Sequence, residues 1–107
     1  MLLSDPMITE VSRLFRALGD EPRLRLLRIL LEASHPLSQK ALAEAAGMSQ
    51  ANASKHLIFL ANTGLVTREP HGNQVLFSPL SPLVTEVCQM VCDHVTKRIR
   101  TSYEALV

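Results

Sequence analysis

The sequence predicts a mainly α protein with one small β-hairpin, ordered α-α-α-α-β-β-α, and three observations predict it. Apolar residues recur at three- and four-residue spacing along most of the chain, the period of an amphipathic helix. Two of the resulting helices are separated only by Gly47, Met48 and Ser49, too little for anything but a tight turn. Beyond them lie two short β-prone runs, Leu65 to Glu69 and Val75 to Ser78, with the turn-rich Pro70-His71-Gly72-Asn73-Gln74 between them.

Each element follows from local chemistry. From Pro6 to Leu18, Met7, Val11, Leu14, Phe15 and Leu18 form an apolar stripe, with Asp5-Pro6 as cap and first-turn proline. Gly19-Asp20 breaks that helix. A second is expected from Glu21 to about Ala33, with Leu24, Leu27, Leu30 and Leu31 turned inward, ended by Ser34-His35-Pro36. Ser38 should cap a third helix from Gln39 to Ala46, stopped by Gly47. Ser49 should cap a fourth that runs to about Asn62 and is stopped by Gly64. After the hairpin, Ser78-Pro79-Leu80-Ser81-Pro82 should open a last helix from about Leu83 to Tyr103. Helix, tight turn, helix and hairpin together make a winged helix-turn-helix.

Composition narrows the function classes. The 107 residues suit one domain over 1–107, and 47 % apolar against 20 % charged residues supports a packed core. No apolar run approaches the roughly 20 residues of a membrane span, and the start of the chain lacks the basic and apolar segments of a secretory signal. A cytoplasmic protein without a membrane partner is therefore expected. Two cysteines, Cys88 and Cys92, are too few for a disulfide framework. Without a glycine-rich phosphate loop or a convergent acid/base cluster, nothing suggests an enzyme.

The net charge of +1 is uninformative, but its distribution is not. Between Glu44 and Glu69 there is no acidic residue, while Lys55, His56 and Arg68 lie in that stretch. On a helical wheel Ala53, Leu57 and Leu60 share the core side of the fourth helix, and Lys55 lies almost opposite. Ala51, Ser54 and Ile58 also face outward, with Gln50 at the edge and Asn52 in the same first turns. Small residues on an acid-free face can enter a DNA major groove about 12 Å wide. There Gln pairs with adenine, Ser with several bases, and Lys with guanine or phosphate. Arg68, His71, Asn73 and Gln74 on the hairpin would meet phosphates or the adjacent minor groove.

Structural roles compete for several of these residues. Ser49 is first a helix cap, and Lys55 and Arg68 would be unremarkable on any solvated face. His56 projects only about 60–70° from the core stripe, which suits a packed histidine as well as a base reader. Arg23, Arg25 and Arg28 read as a solvated face balanced by Glu21 and Glu32.

Leu18-Gly19-Asp20-Glu21-Pro22-Arg23-Leu24-Arg25-Leu26-Leu27 resembles the entry to the second helix of ArsR/SmtB-type repressors. Ser49-Gln50-Ala51-Asn52-Ala53-Ser54-Lys55-His56-Leu57 is similar to that family's recognition helix. Gly64-Leu65-Val66, followed by Arg68, Gly72 and Phe77, looks like its wing. The resemblance implies a homodimeric repressor, paired through its first and last helices, that leaves double-stranded operator DNA when a metal, metalloid or other signal is sensed. It places base contacts at Gln50, Ala51, Ser54 and Lys55.

Two common sensor patterns of that family are absent. Leu37 to Leu42 contains no Cys-x-Cys, and Asp93-His94-Val95 departs from Asp-x-His, with no histidine after it. Cys88 and Cys92 remain, sharing one face of the last helix with Val84, Val91, Val95 and Ile99, about 6 Å apart at Cα. They can act as soft ligands for a thiophilic metal or metalloid ion such as arsenite, as a redox pair, or as small apolar packing residues. His94 points about 140° away from them, so a third ligand would have to come from another element or a second subunit. A constitutive repressor of the same fold and a winged-helix protein-interaction module stand as the alternatives.

Overall fold

A computed structural model describes residues 3–80 and 82–106. Met1, Leu2, Ser81 and Val107 lie outside the described residues, and with Ser81 one position of the expected lead-in to the last helix. The elements run α1 (Asp5–Leu18), α2 (Glu21–Glu32), β1 (Leu37–Ser38), α3 (Gln39–Ala46), α4 (Gln50–Asn62), β2 (Val66–His71), β3 (Gln74–Pro79) and α5 (Leu83–Leu106).

Most boundaries match their chemical signals. Ser38 Oγ accepts from the Ala41 amide and Ser49 Oγ from the Asn52 amide, each at 3.1 Å, which caps α3 and α4 as expected. Gly47 follows α3 at φ 67°, a left-handed conformation that a side chain would strain. With it, Met48 N–H reaches back to the Ala43 carbonyl at 3.0 Å, so the chain reverses directly into α4. The α4 terminus repeats the device, with Leu65 N–H on the Leu60 carbonyl at 2.9 Å and Gly64 at φ 78°.

Four expectations need correction. Ser4, not Asp5, caps α1, its hydroxyl accepting from the Met7 amide; Asp5 lies inside the first turn, where its charge favours the helix dipole. Leu24 is 42 % exposed and Leu26 is fully buried, because α2 rolls its Leu26–Leu27–Leu30 side toward the core. The strands reach further than their β-prone runs, leaving only Gly72 and Asn73 in the turn, since backbone pairing continues through Pro70↔Val75 to His71↔Gln74. The last helix continues past Tyr103 to Leu106.

One element was not expected. Leu37 and Ser38 form a two-residue strand against Phe77 and Leu76, giving an antiparallel sheet ordered β1-β3-β2. This short strand ties the entry of α3 to the base of the hairpin.

The core gathers Ala17, Leu26, Leu27, Leu30, Leu42, Ala43, Ala53, Leu57, Leu60, Leu65, Val66, Phe77 and Val84, with no polar side chain fully buried among the described residues. Val84 alone anchors α5 there, with Cys88 packed at the margin. Beyond that point α5 leaves the core, and Met90, Val91, Val95, Ile99 and Tyr103 are exposed. Met7, Ile8 and Phe15 on α1 are exposed as well.

Candidate nucleic-acid interface

The leading turns of α4 stand free of the core. Ala53, Leu57 and Leu60 anchor the helix with no exposed surface, and the opposite side carries Gln50, Ala51, Asn52, Lys55 and Ile58 in solvent. Ser54 is half-buried beside them. The helix N-terminus, positive by its backbone dipole, carries no acidic residue in its first turn. Donor-rich side chains and a positive helix end on one surface suit a polyanion. Ser49 is exposed, but its hydroxyl is engaged as the cap.

Three features hold α4 in place. It packs against α3, α2 and β2. Gln39, the first residue of α3, donates from Nε2 to the Gln50 carbonyl at 3.3 Å. The third feature lies beneath the helix. Phe59 takes the Arg23 guanidinium over its ring at 4.5 Å, and His56 turns Nδ1 inward, 4.0 Å from Asp20 Oδ2. The His56 side chain is 12 % exposed, so it belongs to the inner flank of the helix, away from Gln50, Ala51 and Lys55.

Arg23 departs from its expected place on a solvated face. Only 14 % of its side chain is exposed, Nε donates to the Ala17 carbonyl, and an Nη donates to the Arg16 carbonyl, both at 2.9 Å. Those carbonyls belong to the last turn of α1, where helix geometry leaves acceptors without partners. Arg25 does sit on the solvated face, paired with Glu21 at 2.7 Å.

The hairpin projects beside α4. Val66 and Phe77 are buried at its base, whereas Arg68, His71, Asn73 and Gln74 are exposed. The register sets Arg68 opposite Phe77, and His71 opposite Gln74 at the tip. Gly72 takes φ 67° in the turn. The candidate residues thus fall into two groups, one on α4 and one on the wing.

Cys88 and Cys92 belong to neither group and lie on α5. With Val87 and Val91 they face Phe15, Leu18, Gly19 and Leu24 across a cavity of about 270 Å³. Leu24, displaced from its expected inward position, forms part of that wall. Burial, and then the neighbouring Cys92 thiol, push the Cys88 thiol above its ordinary value. Two thiols supply two soft ligands. Among the described residues no three His, Cys, Asp or Glu side chains come together.

Asp20, Arg23, Gln39 and Phe59 escaped the sequence reading as parts of this region. The Gly19-Asp20-Glu21-Pro22-Arg23 run was the available signal, but nothing in it says that the arginine folds back under α4.

A helix-turn-helix with a hairpin wing defines the fold of DNA-binding transcriptional regulators rather than of enzymes. Residues 20–68 match the family described as bacterial regulatory protein, arsR family. A probable mercury resistance operon repressor from Streptomyces lividans is 33 % identical over 79 residues, which is 74 % of this chain and 62 % of that protein. The chain thus spans less than two thirds of that relative's length. Among solved structures, the homodimeric winged helix-turn-helix DNA-binding domain of a possible ArsR-family transcriptional regulator from Mycobacterium bovis superposes with a TM-score of 0.81. It is 25 % identical, over 92 % of each chain. The cadmium metal-sensor CMTR from Mycobacterium tuberculosis is 32 % identical over 74 % of this chain and 80 % of its own, with a TM-score of 0.61. The helix-turn-helix segment of this chain, residues 20–68, is thus similar to that of the arsR family of bacterial regulatory proteins.

Proposed function

We propose that this protein is a homodimeric transcriptional repressor that occludes operator DNA in the cytoplasm and is released by a thiophilic signal at Cys88 and Cys92. The observation that carries the DNA reading is the exposed, acid-free leading face of α4, set on a core-anchored helix beside an exposed wing. In this reading Gln50, Ala51, Asn52, Ser54 and Lys55 meet base edges and phosphates in the major groove, with Ser49 at the helix entrance. Arg68, His71 and Asn73 contact the flanking backbone or minor groove. The match of residues 20–68 to the arsR family supports the assignment.

Dimerisation is supported by the apolar residues that α1 and α5 leave in solvent, and by the homodimeric M. bovis relative. A two-fold dimer presents two copies of α4 to an inverted repeat, with half-sites about one helical turn or a small multiple apart.

The sensor reading rests on the paired thiols, and on relatives named for mercury and cadmium, both soft ions that favour thiolates. A bound ion would be held by Cys88 and Cys92 together with donors from the second copy. This chain's own contribution is the apolar wall of the cavity, whose side chains offer no oxygen ligand to a hard, hydrated cation.

The test is fluorescence anisotropy of the protein on its own promoter-region DNA, with and without arsenite, mercury(II), cadmium, zinc and a thiol oxidant. The proposal expects specific binding that a thiol-directed reagent abolishes, and that a Cys88→Ser/Cys92→Ser variant no longer loses. Specific binding indifferent to every reagent would keep the repressor and reduce the thiols to packing. Absence of specific binding would overturn the DNA reading in favour of a protein-interaction module.

A further inference from the structure

The least explained group in the molecule is the His56 ring. Among the described residues its Nδ1 is buried with no hydrogen-bond partner, which leaves the desolvation of a polar atom uncompensated. It faces Asp20 Oδ2 at 4.0 Å, too far for a hydrogen bond and close enough for a strong charge interaction. That carboxylate already caps α2 through the Arg23 amide at 3.1 Å and lies 3.9 Å from the Arg23 guanidinium. Arg23 in turn grips the end of α1 and stacks on Phe59, one turn along α4 from His56.

We infer that Asp20, Arg23 and His56 form a polar joint that positions the recognition helix, and that proton uptake by His56 tightens it. Arg23 is the permanent member, clamping α1 and Phe59 whatever the pH. His56 is the variable one. A neutral imidazole can present a lone pair or an N–H at Nδ1, whereas the imidazolium presents N–H at both nitrogens. One proton taken from solvent onto the ring therefore sets N–H⁺ against the Asp20 carboxylate. Closing from 4.0 Å to the 2.7–2.9 Å or so of a charge-assisted hydrogen bond draws the second turn of α4 about 1 Å toward the α1–α2 corner.

Two charged groups of opposite sign lie near the ring. Asp20, at the corner, attracts the imidazolium. Arg23, on α2, opposes it but is shared among two carbonyls and Phe59. On α4 itself Lys55 points to solvent, and no acidic residue competes. Resting on the reading of α4 as the DNA-reading helix, the inference makes His56 a positioning residue that acts through Asp20. The tightened helix, carrying one more positive charge, then binds DNA better at low pH.

The full-length protein tests this in two measurements, on wild type, His56→Gln, Asp20→Asn and the double variant. Asn is as good a helix cap as Asp, so Asp20→Asn removes the charge and keeps α2 capped. First, NMR follows the His56 ring and the amides of residues 50–54 between pH 5.5 and 8.5 without DNA. Those amides should shift with the midpoint of the ring, and stop doing so in Asp20→Asn. Second, between pH 8 and pH 6 operator affinity should tighten about fivefold or more further in wild type than in any of the three variants, which should behave alike. The exposed His71 contributes alike to wild type and His56→Gln, so their difference isolates the joint. Amides indifferent to the ring, or a pH profile unchanged in His56→Gln, would overturn the inference. Coupled amides in a protein that binds no specific DNA would uphold the joint and sink the DNA reading alone.

Discussion

Replacing Arg23 by alanine is expected to destabilise the protein by about 2–3 kcal/mol, as much as a sizeable core truncation, although arginine is ordinarily a surface residue. The bond to the part-buried Ala17 carbonyl is charge-assisted, a kind that contributes about 1.5–3 kcal/mol. The bond to the Arg16 carbonyl is exposed, so water replaces most of it. Stacking over Phe59 at 4.5 Å adds about 1 kcal/mol in a largely desolvated setting. Because the three contacts share one side chain, they overlap rather than add in full. Arg23→Lys should lose roughly half as much, since one ammonium cannot serve two carbonyls and lie flat on a ring. Urea unfolding followed by circular dichroism measures the difference, at one fixed protomer concentration because dimerisation feeds into apparent stability. A loss below about 0.5 kcal/mol for Arg23→Ala would place it among ordinary surface substitutions and refute the clamp.

Two further outcomes are expected at the site and the cavity. Lys55→Gln removes one exposed charge from the outer face of α4. It should weaken binding to all DNA sequences, lower the slope of log affinity against log salt by about 1, and leave urea unfolding unchanged; anisotropy across a salt series reads it. Cys88 holds its proton more tightly in the folded than in the unfolded chain, so its contribution to stability is present below the ordinary value of 9.0 and is lost as pH climbs through the raised one. In a Cys92→Ser variant, which removes the secondary cause, alkylation of Cys88 should still rise with pH later than that of a free thiol. Rates measured by mass spectrometry that coincide with the free thiol would refute burial as the cause.

Local signals carried much of the fold. Ser38, Gly47, Ser49 and Gly64 mark their helix ends by hydrogen bonds and backbone angles reaching only a few residues, so the helix-turn-helix was legible from spacing alone. The outer face of α4 was legible for the same reason: anchoring Ala53, Leu57 and Leu60 sends Gln50, Ala51 and Lys55 outward by helix geometry. The length of a strand pair is less local. Pro70 and His71 have little β propensity, but the partner strand already supplies the backbone bonds that extend them.

Thus the sequence by itself determined the order of the helices and the hairpin, the caps of α3 and α4, and the outward face of α4, because each depends on neighbours within a turn or two. Only the tertiary structure decided that β1 pairs with β3, that Leu24 and the two thiols share a cavity, and that Arg23 and His56 turn inward on Asp20. Those contacts join residues up to tens of positions apart, and a charged side chain's choice between solvent and interior depends on which carbonyls and rings the folded chain brings within its reach.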